Sequence, residues 1–547
     1  MNLLTNFTGS LKSEFKGYNK SSFVKDLMSG ITVAAVALPL ALAFGVSSGA
    51  TAAAGLVTAI LGGLIMSFFS GASFQISGPT GAMTAVLVTI AAKYGMQGIL
   101  LATFIAGIFL VAAGFMKLGR VIYLIPSSVM TGFTSGIAVI IALGQLDNFF
   151  GVTSRGSIAI EKVASYFIYG FHPNLQAVIV GAAVIVFMLL WPKKFNEKVP
   201  SSLVAIVIVA IVVRFVHLDV DVIGDIPRTL LLEDRLSLGG LNYELIRGML
   251  GPAFTIAALC MVESLLCGAA GGKMKDEELD ADRELIAQGL GNIVIPIFGG
   301  VPATAAIART SVAIKSGCVT RLTGIIHAVI LLLSMFVLGP VMSEIPLSAL
   351  AGVLLVTAWR MNDFHNIKYI FSHRFKSGII KFSVTLIATV CLDLTEAIII
   401  GVIISALLVL YNISNIEINV KNADKNRLEQ VGIHGHESSD EIKVAYLTGI
   451  IFFAVVDQLQ KELRAQEKAT KVLILSMRGV PSIDLSGVQA MAELVEFMQS
   501  HGTIIYITSA QPAVISKLRR GGVIDMIGEE NIYQSAENAI EEAYEEL

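Results

Sequence analysis

Long apolar blocks separated by short polar connections fill the chain as far as residue 411. Leu27 to Ala92 holds no Asp, Glu, Lys, Arg or His, which is room for two full membrane spans and a shorter third at about 20 residues each. The pattern places apolar segments at 27–45, 51–69, 79–92, 97–116, 126–146, 174–191, 201–216, 250–272, 285–297, 303–314, 322–342, 346–359, 377–392 and 395–411. These come to about 14, and several are too short to cross a hydrocarbon core of about 30 Å alone. Beyond them the period changes. Ile442–Leu447, Val472–Met477 and Thr503–Thr508 read as buried strands, with helices at Val455–Gln466, Ser486–Ser500 and Ser535–Glu546.

Two apolar segments are interrupted. Phe298 to Lys315 reads FGGVPATAAIARTSVAIK, where Gly299, Gly300 and Pro302 oppose a continuous helix and Ala303 onward predicts a fresh one. Gln75 to Thr84, QISGPTGAMT, has the same design much earlier in the chain. Gly/Pro breaks in corresponding places of two halves are the sequence pointer to a transporter's binding site. A single break would read equally well as a packing kink; the matched pair favours a site.

Composition and charge agree with a membrane protein. The chain is 54% hydrophobic and 15% charged with mean hydropathy +0.75, against roughly 25% charged residues in soluble domains. From Lys421 to Leu547 there are 12 Lys/Arg and 19 Asp/Glu, net -7; subtraction from 39 and 42 leaves 27 and 23, net +4, for the rest. That shift divides a membrane domain from a soluble one. The boundaries read as a cytoplasmic segment 1–26, a transmembrane domain 27–412, a linker 413–439 and an α/β domain 440–547. The polar, lysine-bearing start and the long run after it predict a retained first span, not a signal peptide. Basic residues fall on every second connection (Lys117 and Arg120; Lys193, Lys194 and Lys198; Lys273 and Lys275; Lys315 and Arg321; Arg360 to Lys376). This places both termini in the cytoplasm. The four cysteines lack CxxC or Cys/His spacing, so neither a disulfide framework nor a zinc site is expected.

Glu263 is the only Asp, Glu, Lys or Arg between Arg247 and Lys273, roughly 24 and 15 Å from them at helical rise. A carboxylate that deep in a membrane is a functional candidate by default, against a protonated structural carboxyl. Arg309, about two turns into the second fresh helix, is read equally as steering anions or pairing with a carboxyl. His327 reads as a core histidine ahead of a proton relay, and Asp393 and Glu396 as solvated in an external turn.

LPLALAFG at Leu38–Gly45, QISGPTG at Gln75–Gly81, VESLLC at Val262–Cys267 and RELIAQGLGN at Arg283–Asn292 occur in fixed order with FGGVPATAAIART and the late PSIDLSG at Pro481–Gly487. In this the chain resembles the sulfate permease (SulP) family of anion transporters over nearly its whole length. The resemblance implies an α-helical membrane protein of fourteen segments as two inverted seven-segment repeats, with a mobile core, a dimer-contacting gate and a cytoplasmic STAS domain. It implies an anion site between the broken segments, at Thr80, Gly81 and Ala82 and at Thr304, Ala305 and Ala306, with Glu263 facing it. Physics agrees: each helix N-terminus offers unpaired N–H groups and roughly +0.5 charge, so two supply about +1. The hydroxyls of Thr80 and Thr304 are expected to cap these helices or contact the ligand. Leu40 stands where relatives carry Gln, which leaves apolar walls to Ala41, Ala43 and Phe44.

An ionised Glu263 and a divalent anion together outweigh about +1 from the helix ends. Uptake is therefore expected to need a proton on Glu263 or a cation beside it, with proton ahead of sodium because Cys267 replaces a hydroxyl resembling a sodium ligand. No other cofactor and no metal are expected. The implied partners are a small inorganic anion, the lipid bilayer and a second copy in a homodimer; the STAS domain is open to a regulatory protein or nucleotide, and no nucleic acid is expected. Ser486 matches a phosphorylated serine in anti-sigma antagonists, although Ser and Asp at a helix start also serve as caps. The reading is secondary transport of sulfate or bicarbonate in the inner membrane, with dicarboxylate or chloride as same-family alternatives and an anion sensor acting through the STAS domain as one of another class. A nucleobase permease would need more side-chain hydrogen-bonding groups. An enzyme is not expected, since no nucleophile–base constellation appears.

Overall fold

The computed structural model describes residues 2–120, 126–155, 159–192, 200–216, 218–237, 239, 243–392, 394–422 and 441–546. Lys193, Lys194 and Lys198 of the basic loops, Asp393, residues 423–439 of the linker and residue 440 lie outside the described residues. The chain divides into two compact units, Met1–Ile403 and Ile404–Leu547.

In the first unit the expected apolar segments fall on helices. Those that position the site are α1 (Asn2–Glu14), α2 (Lys20–Ser47), α3 (Ala52–Phe69), α4 (Gly81–Phe115), α5 (Ser127–Gly144), α6 (Tyr243–Lys275), α7 (Ala281–Val294), α8 (Ile307–Lys315), α9 (Leu322–Met342) and α10 (Leu347–Met361). The segments predicted at 79–92 and 97–116 meet within α4, which bends at Gly95, where φ is 64° and a side chain would be strained. Among the described residues six helices are long and apolar enough to cross a membrane. Starts are chemically marked: the Thr51 side chain accepts from Ala54 N at 3.1 Å to cap α3, and Asp280 accepts from Arg283 N to cap α7. Outward-facing Leu333 and Val337 on α9 and Leu189, Leu190 and Phe215 stay exposed within the chain, as a lipid-facing surface requires.

Both breaks are extended. Ser77–Gly78 forms β1 and Thr304–Ala305 forms β2, and they pair antiparallel with Ser77 opposite Ala305 and Gly78 opposite Thr304. The Ala306 N–H continues the ladder to the Ile76 carbonyl at 3.1 Å. The second fresh helix therefore begins at Ile307, not at Ala303 as the sequence predicts. The cause is that residues 303–306 find their partners sideways. Asn292 donates to the Ala303 carbonyl and accepts from its N–H, both at 2.9 Å, while β1 takes the next two residues.

The second unit holds a five-stranded sheet in the order β3-β4-β5-β6-β7 (Glu417–Asn422, Ile442–Thr448, Val472–Gly479, Ile504–Thr508, Ile532–Tyr533). All neighbours are parallel except β3, which runs antiparallel to β4 along one edge. The sequence assigned 417–422 to the linker; alternate Ile418 and Val420 turn toward the core and make it a strand. Leu473, Leu475 and Met477 face one layer with Leu459, Leu494 and Leu518, while Val472, Ile474 and Tyr506 face the other with Ile540. Parallel strands covered on both faces explain their unbroken apolar runs.

In the first unit α2 and α3 cross at glycines. A Cβ on Gly55 would sit 2.0 Å from the Ala41 carbonyl, against backbone that cannot yield. Gly55→Val is expected to destabilise the protein by about 3 kcal/mol, the upper range for overpacking, read as loss of a monodisperse peak and a lower melting temperature in detergent.

Candidate functional site

A cavity of about 410 Å³ lies where the two broken segments meet. Thr80 and Gly81 line it from the start of α4, Ala305 and Ala306 from β2 and its exit, and Ile307, Ala308 and Arg309 from the first turn of α8. Glu263 enters from α6, Val36, Leu40 and Phe44 from α2, and Phe133, Thr134 and Ile137 from α5. Ser201, Ser202, Thr357 and Arg360 close the far side.

The two helix starts are bare. Neither α4 nor α8 has a side-chain cap for the first-turn N–H groups that a helix cannot satisfy itself, and the first-turn residues Gly81, Ile307, Ala308 and Arg309 line the cavity. The Thr80 hydroxyl, expected to cap or to touch ligand, instead donates to Glu263 Oε2 at 2.9 Å. Thr304 is fully buried and turned away: its hydroxyl bonds Ser264 Oγ at 2.8 Å. Ala82 is likewise fully buried and outside the lining. Of the expected wall residues Phe44 faces the cavity, while Ala41 and Ala43 do not. Helical geometry is the reason: Val36, Leu40 and Phe44 recur every four residues on one stripe, and Ala41 points its backbone at Gly55 instead. Leu40 itself is thus wall.

Arg309 is 1% exposed, with Nη2 donating to the Pro79 carbonyl at 3.0 Å. Its Nε and Nη1 have no protein partner among the described residues. A Cβ at Gly78 would come within 2.7 Å of Nη1, so glycine in β1 is what lets the guanidinium reach this depth. A buried cation with open donors beside bare helix ends can hold an anion.

The scaffold depends on polar residues of the motif Arg283–Asn292. Glu284, Gln288 and Asn292 repeat every four residues along α7 and form one buried polar stripe. Glu284 accepts from Ser70 Oγ at 2.7 Å and Gly71 N at 2.9 Å, Gln288 donates to Ser77 Oγ at 2.9 Å, and Asn292 holds Ala303. Gln75 donates to the Ser264 carbonyl at 2.7 Å, tying β1 to α6 one residue from Glu263. The available signal was that four-residue spacing of polar side chains in an apolar helix. His327 is fully buried with its ring against Gly63.

In the second unit Asp484, not Ser486, caps the helix Leu485–Ser500, with Oδ1 accepting from Gly487 N at 2.7 Å. Ser486 is half-buried at that start.

Broken helices meeting around a cavity are the arrangement in which membrane transporters hold their substrates. The profile of the Sulfate permease family matches residues 23–385, and that of the STAS domain matches 436–539. The chain belongs to the sulfate permease family, whose members are transporters and not enzymes. YvdB of Bacillus subtilis (strain 168), a protein named for sulfate transport, is 31% identical over 95% of this chain and 97% of its own. The bicarbonate transporter BicA of Picosynechococcus sp. is 29% identical over 95% and 94%. The transmembrane domain of a cyanobacterial BicA superposes with TM-score 0.64 at 27% identity, over 71% of this chain and 98% of that one. The murine Slc26a9 anion transporter shares the fold across 97% of this chain and 93% of its own, at TM-score 0.83 and 18% identity.

Removing the Thr80 hydroxyl leaves Glu263 short of a charge-assisted hydrogen bond, a loss of about 1.5–3 kcal/mol. Thr80→Val is therefore expected to lower kcat/KM for anion uptake by roughly tenfold or more, and Thr80→Ser to retain it; equal loss in both would count against a role for the bond.

Proposed function

We propose that this chain is a secondary active transporter of inorganic anions, sulfate or bicarbonate, binding its substrate between the starts of α4 and α8. The observation that carries the reading is the cavity in which two uncapped helix starts, Arg309 and Glu263 converge. Family membership supports it, as do relatives named for sulfate and for bicarbonate transport. By the same resemblance the chain works as a homodimer in the inner membrane with both termini in the cytoplasm. Ser486, free of cap duty, is the residue proposed for regulatory phosphorylation of the STAS domain, where a protein or nucleotide would act.

Arg309 changes the charge balance expected from sequence. Helix ends supply about +1, Arg309 another +1 and ionised Glu263 -1, leaving roughly +1 before substrate arrives. Bicarbonate neutralises that sum; sulfate overshoots it by one. One proton on Glu263, or one sodium ion beside it, restores neutrality for sulfate. Coupling to a cation is therefore a property of the divalent substrate, and Glu263 is its seat.

Uptake into vesicles tests this. Glu263→Gln is expected to abolish stimulation of sulfate uptake by a proton or sodium gradient; unchanged dependence on both would refute the assignment. Because Coulomb energy scales with anion charge, Arg309→Gln should raise KM by roughly tenfold for bicarbonate and by about the square of that factor for sulfate. Equal shifts for the two anions would show that Arg309 acts through structure instead of charge.

A further inference from the structure

The half-helix α8 is only nine residues, about 13 Å, too short to be stable alone. Its start is fixed by the β1–β2 pair. Its end is gripped from a different quarter, by α2. Ser29 Oγ donates to the Ala313 carbonyl at 3.0 Å, and the turn that follows α8 converges on one carboxylate, Asp26. Asp26 is fully buried, and its Oδ1 accepts from Val319 N at 2.7 Å, Thr320 N at 3.0 Å and Thr323 Oγ1 at 2.9 Å. Its Oδ2 accepts from Thr320 Oγ1 at 2.6 Å and Tyr18 OH at 2.9 Å.

Neighbouring contacts brace the same turn. The Arg321 guanidinium pairs with Glu14 at 2.7 Å and donates to the Phe68 carbonyl at the end of α3. Lys275 from the end of α6 donates to the Val319 carbonyl at 2.9 Å. Gly30 allows the close approach this needs, since a Cβ there would meet Ile326 of α9 at 2.6 Å. The helix that grips α8 is also the one whose Val36, Leu40 and Phe44 face the cavity. One helix thus contributes both to the wall and to the far end of the half-helix opposite it.

We propose that Asp26 is a positioning residue for transport: by holding the turn between α8 and the start of α9 it fixes the C-terminal end of α8 and thereby sets the tilt at which that helix's start and Arg309 meet the anion. The proposal rests on the reading of the cavity as the anion site. With the start of α8 pinned by β1, release of the end lets the helix pivot. A slip of ~2 Å over its length is a tilt of roughly 10°, and misplacement on the order of 1 Å at a binding site costs up to about a hundredfold. Asparagine at position 26 keeps the shape, with its oxygen on the Val319 and Thr320 N–H groups and Thr323 and its amide nitrogen toward the hydroxyls of Thr320 and Tyr18, which must then turn to accept. It removes the negative charge, and charge-assisted bonds are roughly twice as strong as neutral ones, so the grip is weakened at every contact.

The test is uptake kinetics of the full chain in vesicles together with hydrogen–deuterium exchange over 307–315. Asp26→Asn is expected to raise the KM for anion by about tenfold and Thr323→Val by about threefold, each with maximal rate within about twofold, and to speed exchange in α8. A folded variant with lower melting temperature but unchanged KM would overturn the proposal, because a purely structural role predicts that result. If Asp26→Asn does not fold, Thr323→Val and Tyr18→Phe decide by the same criteria. If the unmodified chain takes up no anion, the transport reading fails, and exchange alone judges the grip: no acceleration over 307–315 would overturn it.

Discussion

A short antiparallel pairing, Ser77–Gly78 with Thr304–Ala305, is the constraint on which the membrane unit depends. Unwound backbone at membrane depth persists only where it is buried in protein or lines a cavity. The pairing takes up part of the unwound backbone, Asn292 takes both backbone groups of Ala303, Glu284 accepts from the Gly71 N–H just ahead of the first break, and Gln288 holds the Ser77 hydroxyl. Once the two breaks are locked together, two helices must start close to one another. That is what creates a site: each start brings donors and partial positive charge, and neither can drift away from the other.

The side chains at the site follow from the same arrangement. Glycine in β1 lets the Arg309 guanidinium lie against the backbone, where Nη2 donates to the Pro79 carbonyl while Nε and Nη1 have no protein partner among the described residues. Glu263 is held by Thr80, the residue just before α4. A carboxylate and a guanidinium thus border one cavity without a direct hydrogen bond between them among the described residues.

Much of this was legible in the chain. Apolar period located the helices, and in the second unit the change from long apolar runs to short ones located the strands β4, β5 and β6. Gly/Pro breaks located both interruptions, and isolation among apolar residues singled out Glu263. What the sequence obscured was tertiary in origin. Ala303–Ala306 has good helix formers, yet it is extended because Asn292 and β1 claim its backbone. Ala41 and Ala43 look like wall as well as Leu40 does, and only the direction of α2 against α3 decides between them. Glu417–Asn422 is polar in composition, and its two inward residues are too few to announce a strand before its partner is known.

Anion binding at the paired starts of α4 and α8, beside Arg309 and Glu263, can be seen in a structure solved with selenate, a heavy sulfate analogue whose position anomalous scattering reports. One selenate is expected within hydrogen-bond distance of first-turn N–H groups of both helices and of the Arg309 guanidinium. Selenate bound elsewhere in the membrane unit, with this cavity empty in protein that still transports it, would refute binding at the paired helix starts.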